Sequence, residues 1–205
     1  YHALVERAKI QSNQDILVLG ASGGIGLAAI EIAKAYGCRV TAVASSEEKL
    51  LACKKYGADK LILNKDNNLK SCLQNNAAEK FDIIYDPIGG QGTVDSLSFI
   101  KWQGTVLIMG FASGDIPAPP LNRILLKGCS LVGVFWGPFA KGNDDFNLEC
   151  IKEINSLYDK KLIKIVKPEL FPIDKFKEAL LKIKNRQSIG KLCLHTNSYI
   201  DKLKV

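Results

Sequence analysis

The chain has 205 residues, 47% hydrophobic and 24% charged, and a net charge of +7. That length suits one full α/β domain with a smaller appendage, and no apolar run approaches the roughly 20 residues of a membrane span, so no membrane partner is expected. The six cysteines (Cys38, Cys53, Cys72, Cys129, Cys150, Cys193) include no CxxC pair, which argues against a zinc lobe or disulfide framework and for a reducing intracellular compartment, cytoplasmic or mitochondrial.

The charge is uneven: residues 141–205 carry 14 Lys and Arg against 9 acids. A basic tail can signal nucleic acid, but these lysines alternate with apolar residues at helical and strand spacing, the pattern of a solvated face. Nucleic acid is therefore not the expected partner. The chain opens on Tyr1 with no signal-like segment, so a piece of a longer protein is expected.

In order, residues 1–14 predict a linker with an amphipathic helical turn or two. Residues 16–19 form a short buried-strand run, followed by small residues at 20–26 and an apolar helix to about Tyr36. Only Glu31 and Lys34 break the apolar surface of that helix, which predicts burial between sheet and neighbours. A β-branched strand follows at Arg39–Ala44, then Ser46 as an N-cap with Glu47 and Glu48 in the first helical turn. Further strands are predicted at residues 60–63, 81–85, 105–109 and 130–135. Helices are predicted near 67–76, after the DPIGG turn (residues 86–90), and at 121–127. Six strands alternating with helices imply parallel pairing and right-handed crossovers, a doubly wound Rossmann sheet over residues 15–140. From residue 141 the texture changes to a helix at 146–161, a strand at 163–170, a helix at 173–184 and a strand at 191–194. These belong to some other sheet, and residues 195–205 are expected to be disordered.

The stretch DILVLGASGGIGLAAIE (residues 15–31) carries the chemistry. Strand, glycine turn and helix are the setting in which a Gly-rich motif binds a dinucleotide. Ala21, Gly23 and Gly26 occupy its three small positions, with Ser22, Gly24 and Ile25 between them. The second admits backbone to a pyrophosphate and the third lets helix pack on strand. N–H groups of the first helical turn then face phosphate.

About 20 residues past the glycines, an NAD-binding chain carries an acid for the ribose hydroxyls. Here Ser45 stands there, with Lys49 one helical turn on, which favours NADP(H). Other ligand positions are expected where strands end, at residues 86–90, 110–113 and 135–137. GASGGIG also matches a short-chain dehydrogenase pattern, and Tyr56 and Lys60 mimic its Tyr-x-x-x-Lys pair. Tyr56 closes the second helix, however, and the Asn75–Asn76 pair precedes the fourth strand instead of following it. That family is rejected.

ASGGIGLAAIEIAKAYG, ASSEEKL, DPIGG, GFASGDIP and IGKLCL together resemble the zinc-free quinone oxidoreductase (zeta-crystallin-like) branch of the medium-chain dehydrogenase/reductases. The resemblance implies an N-terminal GroES-like catalytic domain absent from this chain, with residues 141–205 the segment that returns to complete it and strands 163–170 and 191–194 left unpaired. It implies an NADPH-dependent oxidoreductase passing hydride to a quinone or enone, with no metal, catalytic residues that cannot be assigned within this chain, and little turnover by the chain alone. It also implies a homodimer through residues 130–135. By the same likeness, Ser45 and Lys49 match positions meeting the 2′-phosphate, with Asn64 where relatives often carry a stacked Tyr. Gly23, Gly24, Ile25 and Gly26 match the pyrophosphate turn. Pro87, Gly110, Phe111 and Phe135 match the adenosine, ribose and nicotinamide surroundings, and Arg186 and Lys191 are further phosphate candidates. Alternative readings are an enoyl thioester reductase and a non-catalytic NADP-binding regulatory or RNA-binding protein.

Overall fold

A computed structural model of the chain describes residues 1–65, 68–76 and 80–196. Six parallel strands form one sheet: β1 (Asp15–Val18), β2 (Arg39–Ala44), β3 (Lys60–Leu63), β4 (Phe81–Asp86), β5 (Ile100–Ile108) and β6 (Ser130–Gly133), in the order β3-β2-β1-β4-β5-β6. Chain order reverses between β1 and β4, the switch point of a Rossmann sheet. Between the strands run α1 (Gly24–Ala35), α2 (Glu47–Lys55), α3 (Leu69–Asn76), α4 (Gly90–Ser96) and α5 (Leu121–Lys127). Asn67, the expected first residue of the third helix, lies outside the described residues.

The apolar strands bury both faces, which is why they lack polar alternation. Ile16, Val18, Val40, Ala42, Ile83 and Tyr85 pack with Ala29, Ile30 and Ala33 of α1. Leu17, Val43, Ile84 and Val106 point the other way, onto Leu69, Leu73, Leu97 and Phe99. Period-two strands thus build two core layers from one sheet. Each fully buried Leu or Ile contributes about 1.5–3 kcal/mol. A π-helical turn at His2–Arg7 inserts Ala3 and Leu4 into the first layer, and Ile10 follows them.

Several boundaries differ from expectation for local reasons. β5 begins at Ile100, but its register jumps: Phe81 faces Ile100 while Ile83 faces Thr105. The expected start at Thr105 is where the regular ladder resumes. Gly104 permits the irregularity, since a Cβ there would lie 2.7 Å from Ile100 and 2.9 Å from the Asp82 carbonyl oxygen. β6 stops at Gly133, and Phe135 turns the chain into an unanticipated helix, α6 (Trp136–Lys141).

Beyond it come α7 (Asp144–Asp159), β7 (Glu169–Pro172), a 3-10 turn at Ile173–Lys175, α8 (Phe176–Lys184) and β8 (Leu192–His195). The strand expected at 163–170 is displaced toward 169–172. At its expected start, the Lys164 N–H is given to a side chain, Glu31, instead of to a neighbouring strand. β7 and β8 are also not left unpaired. They pair with each other in parallel, Glu169 opposite Leu192 through Pro172 opposite His195, and among the described residues each has one edge without a neighbouring strand. His195 is buried at the end of β8, in contrast to the expected disorder, and residues 197–205 lie outside the described residues.

Candidate functional site

Because all six strands run the same way, their carboxyl ends share one edge of the sheet, and the sequence-predicted residues gather there. The glycine turn leaves β1 with Gly20 in a left-handed conformation (φ 57°). Ala21 N–H donates to the Val43 carbonyl of β2 (3.1 Å), and Gly23 N–H donates back to Gly20 (3.1 Å). Ala21 and Ser22 are buried, whereas Ile25 is 47% exposed on the first turn of α1. A Cβ on Gly26 would stand 2.5 Å from the Gly20 carbonyl oxygen and 2.6 Å from that of Ala21, so only glycine lets α1 close onto the turn. Gly23 is different. A Cβ there would meet nothing nearer than 3.5 Å, leaving an open face at the helix N-terminus. The Tyr85 hydroxyl donates to the Ile25 carbonyl (3.4 Å) and ties α1 to β4; burial raises its pKa.

At the end of β2, Ser46 caps α2 by accepting the Lys49 N–H (3.4 Å). Lys49 Nζ donates to Ser45 Oγ (2.9 Å) and to the carbonyl oxygen of Arg186, from the C-terminal segment. Burial lowers the Lys49 ammonium pKa, and the neighbouring Arg186 charge lowers it further. Asn64 donates its backbone N–H to Ala44 (2.9 Å), which places it beside Ser45. Its side-chain oxygen faces the Cys72 thiol at 3.8 Å.

The DPIGG turn after β4 is held by a carboxylate. Asp86, 1% exposed, accepts N–H bonds from Ile88 (2.8 Å) and Gly89 (3.0 Å) and the hydroxyl of Thr93. This sets Pro87 and Ile88 against Gly20, where a Cβ would lie 2.7 Å from Ile88. The loop after β5 joins them: Ala112 N–H donates to Pro87 (3.2 Å) and Ser113 N–H to Ile88 (2.9 Å). Gly110 lies against the Pro87 carbonyl, and Phe111 packs over Gly89. Phe135 is the outlier, 77% exposed after the edge strand β6 and three places from β1 in the sheet.

The C-terminal segment reaches this edge too. Gly190 N–H donates to the Ser22 carbonyl (2.8 Å), and Gly190 bridges to Gly23 in parallel. The Lys191 side chain then lies across Gly24, its Cε 2.5 Å from a Cβ placed there. Sequence reasoning named Lys191 and Arg186, and took in Asp86 only as the start of the 86–90 turn, but missed Gly190. Gly190 had a usable signal, a glycine just before a strand, and it takes φ 66°. Among the described residues, no carboxylate lies within ion-pair distance of Lys49, Arg186 or Lys191. Nor, among the described residues, do three His, Cys, Asp or Glu side chains gather to hold a metal ion, and no helix among them is long and apolar enough to cross a membrane.

Residues 24–153 match the family described as zinc-binding dehydrogenase. A quinone oxidoreductase-like protein 2 homolog of Nematostella vectensis is 33% identical over 199 residues, 96% of this chain and 54% of that protein. The quinone oxidoreductase-like protein 2 of Rattus norvegicus is 30% identical over 194 residues, covering 94% and 55%. The chain thus spans about half the length of the curated relatives it matches. Among solved structures, Escherichia coli quinone oxidoreductase complexed with NADPH superposes with a TM-score of 0.80 at 21% identity, over 94% of this chain and 60% of that one, a likeness of fold. With its strand order and the family match over residues 24–153, the chain belongs to the zinc-binding dehydrogenase family, in the quinone oxidoreductase-type branch of the medium-chain dehydrogenase/reductases.

Proposed function

We propose that the carboxyl edge of this sheet binds NADP(H) and that the chain is the cofactor-holding part of an oxidoreductase that passes hydride from NADPH to a quinone or enone. The observation that carries this reading is the set of three cations, Lys49, Arg186 and Lys191, arranged around a glycine turn with no carboxylate partner among the described residues. Cations without a close ion-pair partner beside helix N-termini fit phosphate, although Glu48 offsets part of the Lys49 charge from a distance. The open face at Gly23 and the close fit at Gly26 are what a pyrophosphate cradle requires.

In this reading, residues 23–26 and Lys191 hold the pyrophosphate, and Ser45, Lys49 and Arg186 hold the 2′-phosphate. Asn64, Pro87, Gly110 and Phe111 line the rest of the edge, and Phe135 flanks its far end. The bound cofactor supplies the hydride, and the chain supplies position and field. Lys49 is already held on Ser45 Oγ, so little side-chain freedom is lost when phosphate arrives.

We further propose that residues 1–14 are a linker, residues 15–140 the nucleotide-binding domain, and residues 141–205 part of a catalytic domain, the substrate lying between the two. Leu148, Ile151, Leu170, Leu180 and Leu181 are each at least 45% exposed, apolar surface that a further layer would cover. Among the described residues no strand pairs with the outer edge of β6, where Arg7 Nε donates to the Gly133 carbonyl (3.2 Å); that edge, beside exposed Leu131 and Leu125, suits pairing with a second copy. The cysteines are free thiols, consistent with a reducing compartment, cytoplasmic or mitochondrial.

Calorimetric titration with NADPH and NADH tests the reading. Binding of NADPH at least about tenfold tighter than NADH is expected; binding of neither overturns it. Fast NADPH-dependent quinone reduction by this chain alone would overturn the domain division.

A further inference from the structure

Glu31 is one of two charges on a largely apolar helix, and it is 6% exposed. Its Oε1 accepts the backbone N–H of Lys164 at 2.7 Å, across 133 residues of sequence. Burial pushes the carboxyl pKa up, and the Lys164 bond and charge offset part of that push. A buried carboxylate accepting a backbone N–H makes a strong bond, and it is costly to leave unpaired.

Lys164 lies on the connection between α7 and β7, which leads to the nucleotide edge by two routes. Val166 packs on Gly190, its Cγ1 2.9 Å from where a Cβ would stand. Glu169 N–H donates to the Lys191 carbonyl at 2.9 Å. Gly190 in turn is bonded to Ser22, and Lys191 crosses Gly24.

We propose that Glu31 is a positioning residue for the dinucleotide site: by gripping Lys164 it seats residues 164–169, on which Gly190 and Lys191 rest, and so holds the Lys191 ammonium over the phosphate-facing turn. This rests on the NADP(H) reading above. Glu31 touches no cofactor atom itself; it acts on the phosphate site from the far end of a strap that runs from Lys164 to Lys191.

The test is amide hydrogen exchange on the full chain without cofactor, followed by titration with NADPH. Glu31→Leu removes the bond by its acceptor, and Lys164→Pro removes it by its donor on an exposed connection. Glu31→Gln keeps an acceptor oxygen. In the first two variants the amides of Gly190 and Glu169, bonded to the Ser22 and Lys191 carbonyls, should exchange at least about tenfold faster, while those of β2 stay at the wild-type rate. The Gln variant should stay close to wild type. NADPH should bind about tenfold more weakly to the same two variants. Lys191→Ala should cost less on the Glu31→Leu background than alone, since both act on one contact.

Wild-type exchange at Gly190 in either folded variant overturns the proposal. So does faster exchange with unchanged affinity, or full additivity with Lys191→Ala. If Glu31→Leu does not fold, Lys164→Pro gives the same reading. A wild-type chain that fails to bind NADPH sinks the functional reading instead, and the exchange rates still decide whether Glu31 holds the strap.

Discussion

The carbonyl oxygen of Gly20 lies 2.5 Å from where a Cβ on Gly26 would stand. Both partners are backbone, so neither can swing aside as a side chain would. Gly26→Ala must push α1 off the end of β1, and it should destabilise the chain by about 1–3 kcal/mol, as overpacking does elsewhere. Urea unfolding measures it. A variant within about 0.5 kcal/mol of wild type would mean that the turn yields freely and that glycine is not required there.

Residues 39–44 and 121–127 illustrate what was legible in the sequence. Both elements have the bounds expected, because the signals that end them are local: the Ser46 cap after β2, and Gly128 in a left-handed conformation (φ 54°) after α5. The glycine turn and the Ser45–Lys49 pair are equally local, with no more than about six residues between their ends. Glu31 was not legible. It stood out as one of two charged positions on an apolar helix, but the partner that pays for its burial is 133 residues away, and nothing in the local pattern names it. β7 failed for a related reason: its register is chosen by β8, and a strand-like run such as 163–170 cannot reveal which of its residues find a neighbour. Asp86 was visible only as part of a turn, since its role depends on amides and a hydroxyl brought round by that same turn.

Lys49 should discriminate between nucleotides. In the proposed complex it meets the 2′-phosphate, a group NADH lacks. Lys49→Ala should therefore weaken NADPH about ten- to a hundredfold, the worth of a charged hydrogen bond, and leave NADH within about twofold. Paired calorimetric titrations measure both. Equal losses for the two nucleotides would place Lys49 on some shared part of the cofactor.

Asp86 should matter more to stability than its distance from any proposed ligand suggests. Asp86→Ala strands the buried Gly89 N–H, the part-buried Ile88 N–H and the Thr93 hydroxyl, and should cost about 2–4 kcal/mol. Asp86→Asn keeps an acceptor for the amides and should recover most of that loss. Urea unfolding of the two variants compares them, and equal losses would show that the bonds to Ile88 and Gly89 contribute little.

Asp15 should give the fold an acid-sensitive contribution at the opposite edge of the sheet. Its carboxylate takes a bidentate pair from Arg39 (2.7 and 2.9 Å) and a third bond from Lys101 (2.8 Å), which also holds Asp82 (2.8 Å). The Arg39 bonds lower its pKa below the ordinary 3.8 despite burial, with Lys101 adding to the effect. A depressed folded-state pKa means that the unfolded chain binds the proton first on acidification. The stabilisation is therefore complete above the unfolded value and is lost as pH falls below 3.8 and through the lower folded value. Asp15→Asn should cost about 1–2 kcal/mol at neutral pH, and the gap to wild type should narrow progressively as pH falls below 3.8. Unfolding in urea across that range measures it. A gap that stays constant into the acid would mean that shape, and not charge, is what Asp15 contributes.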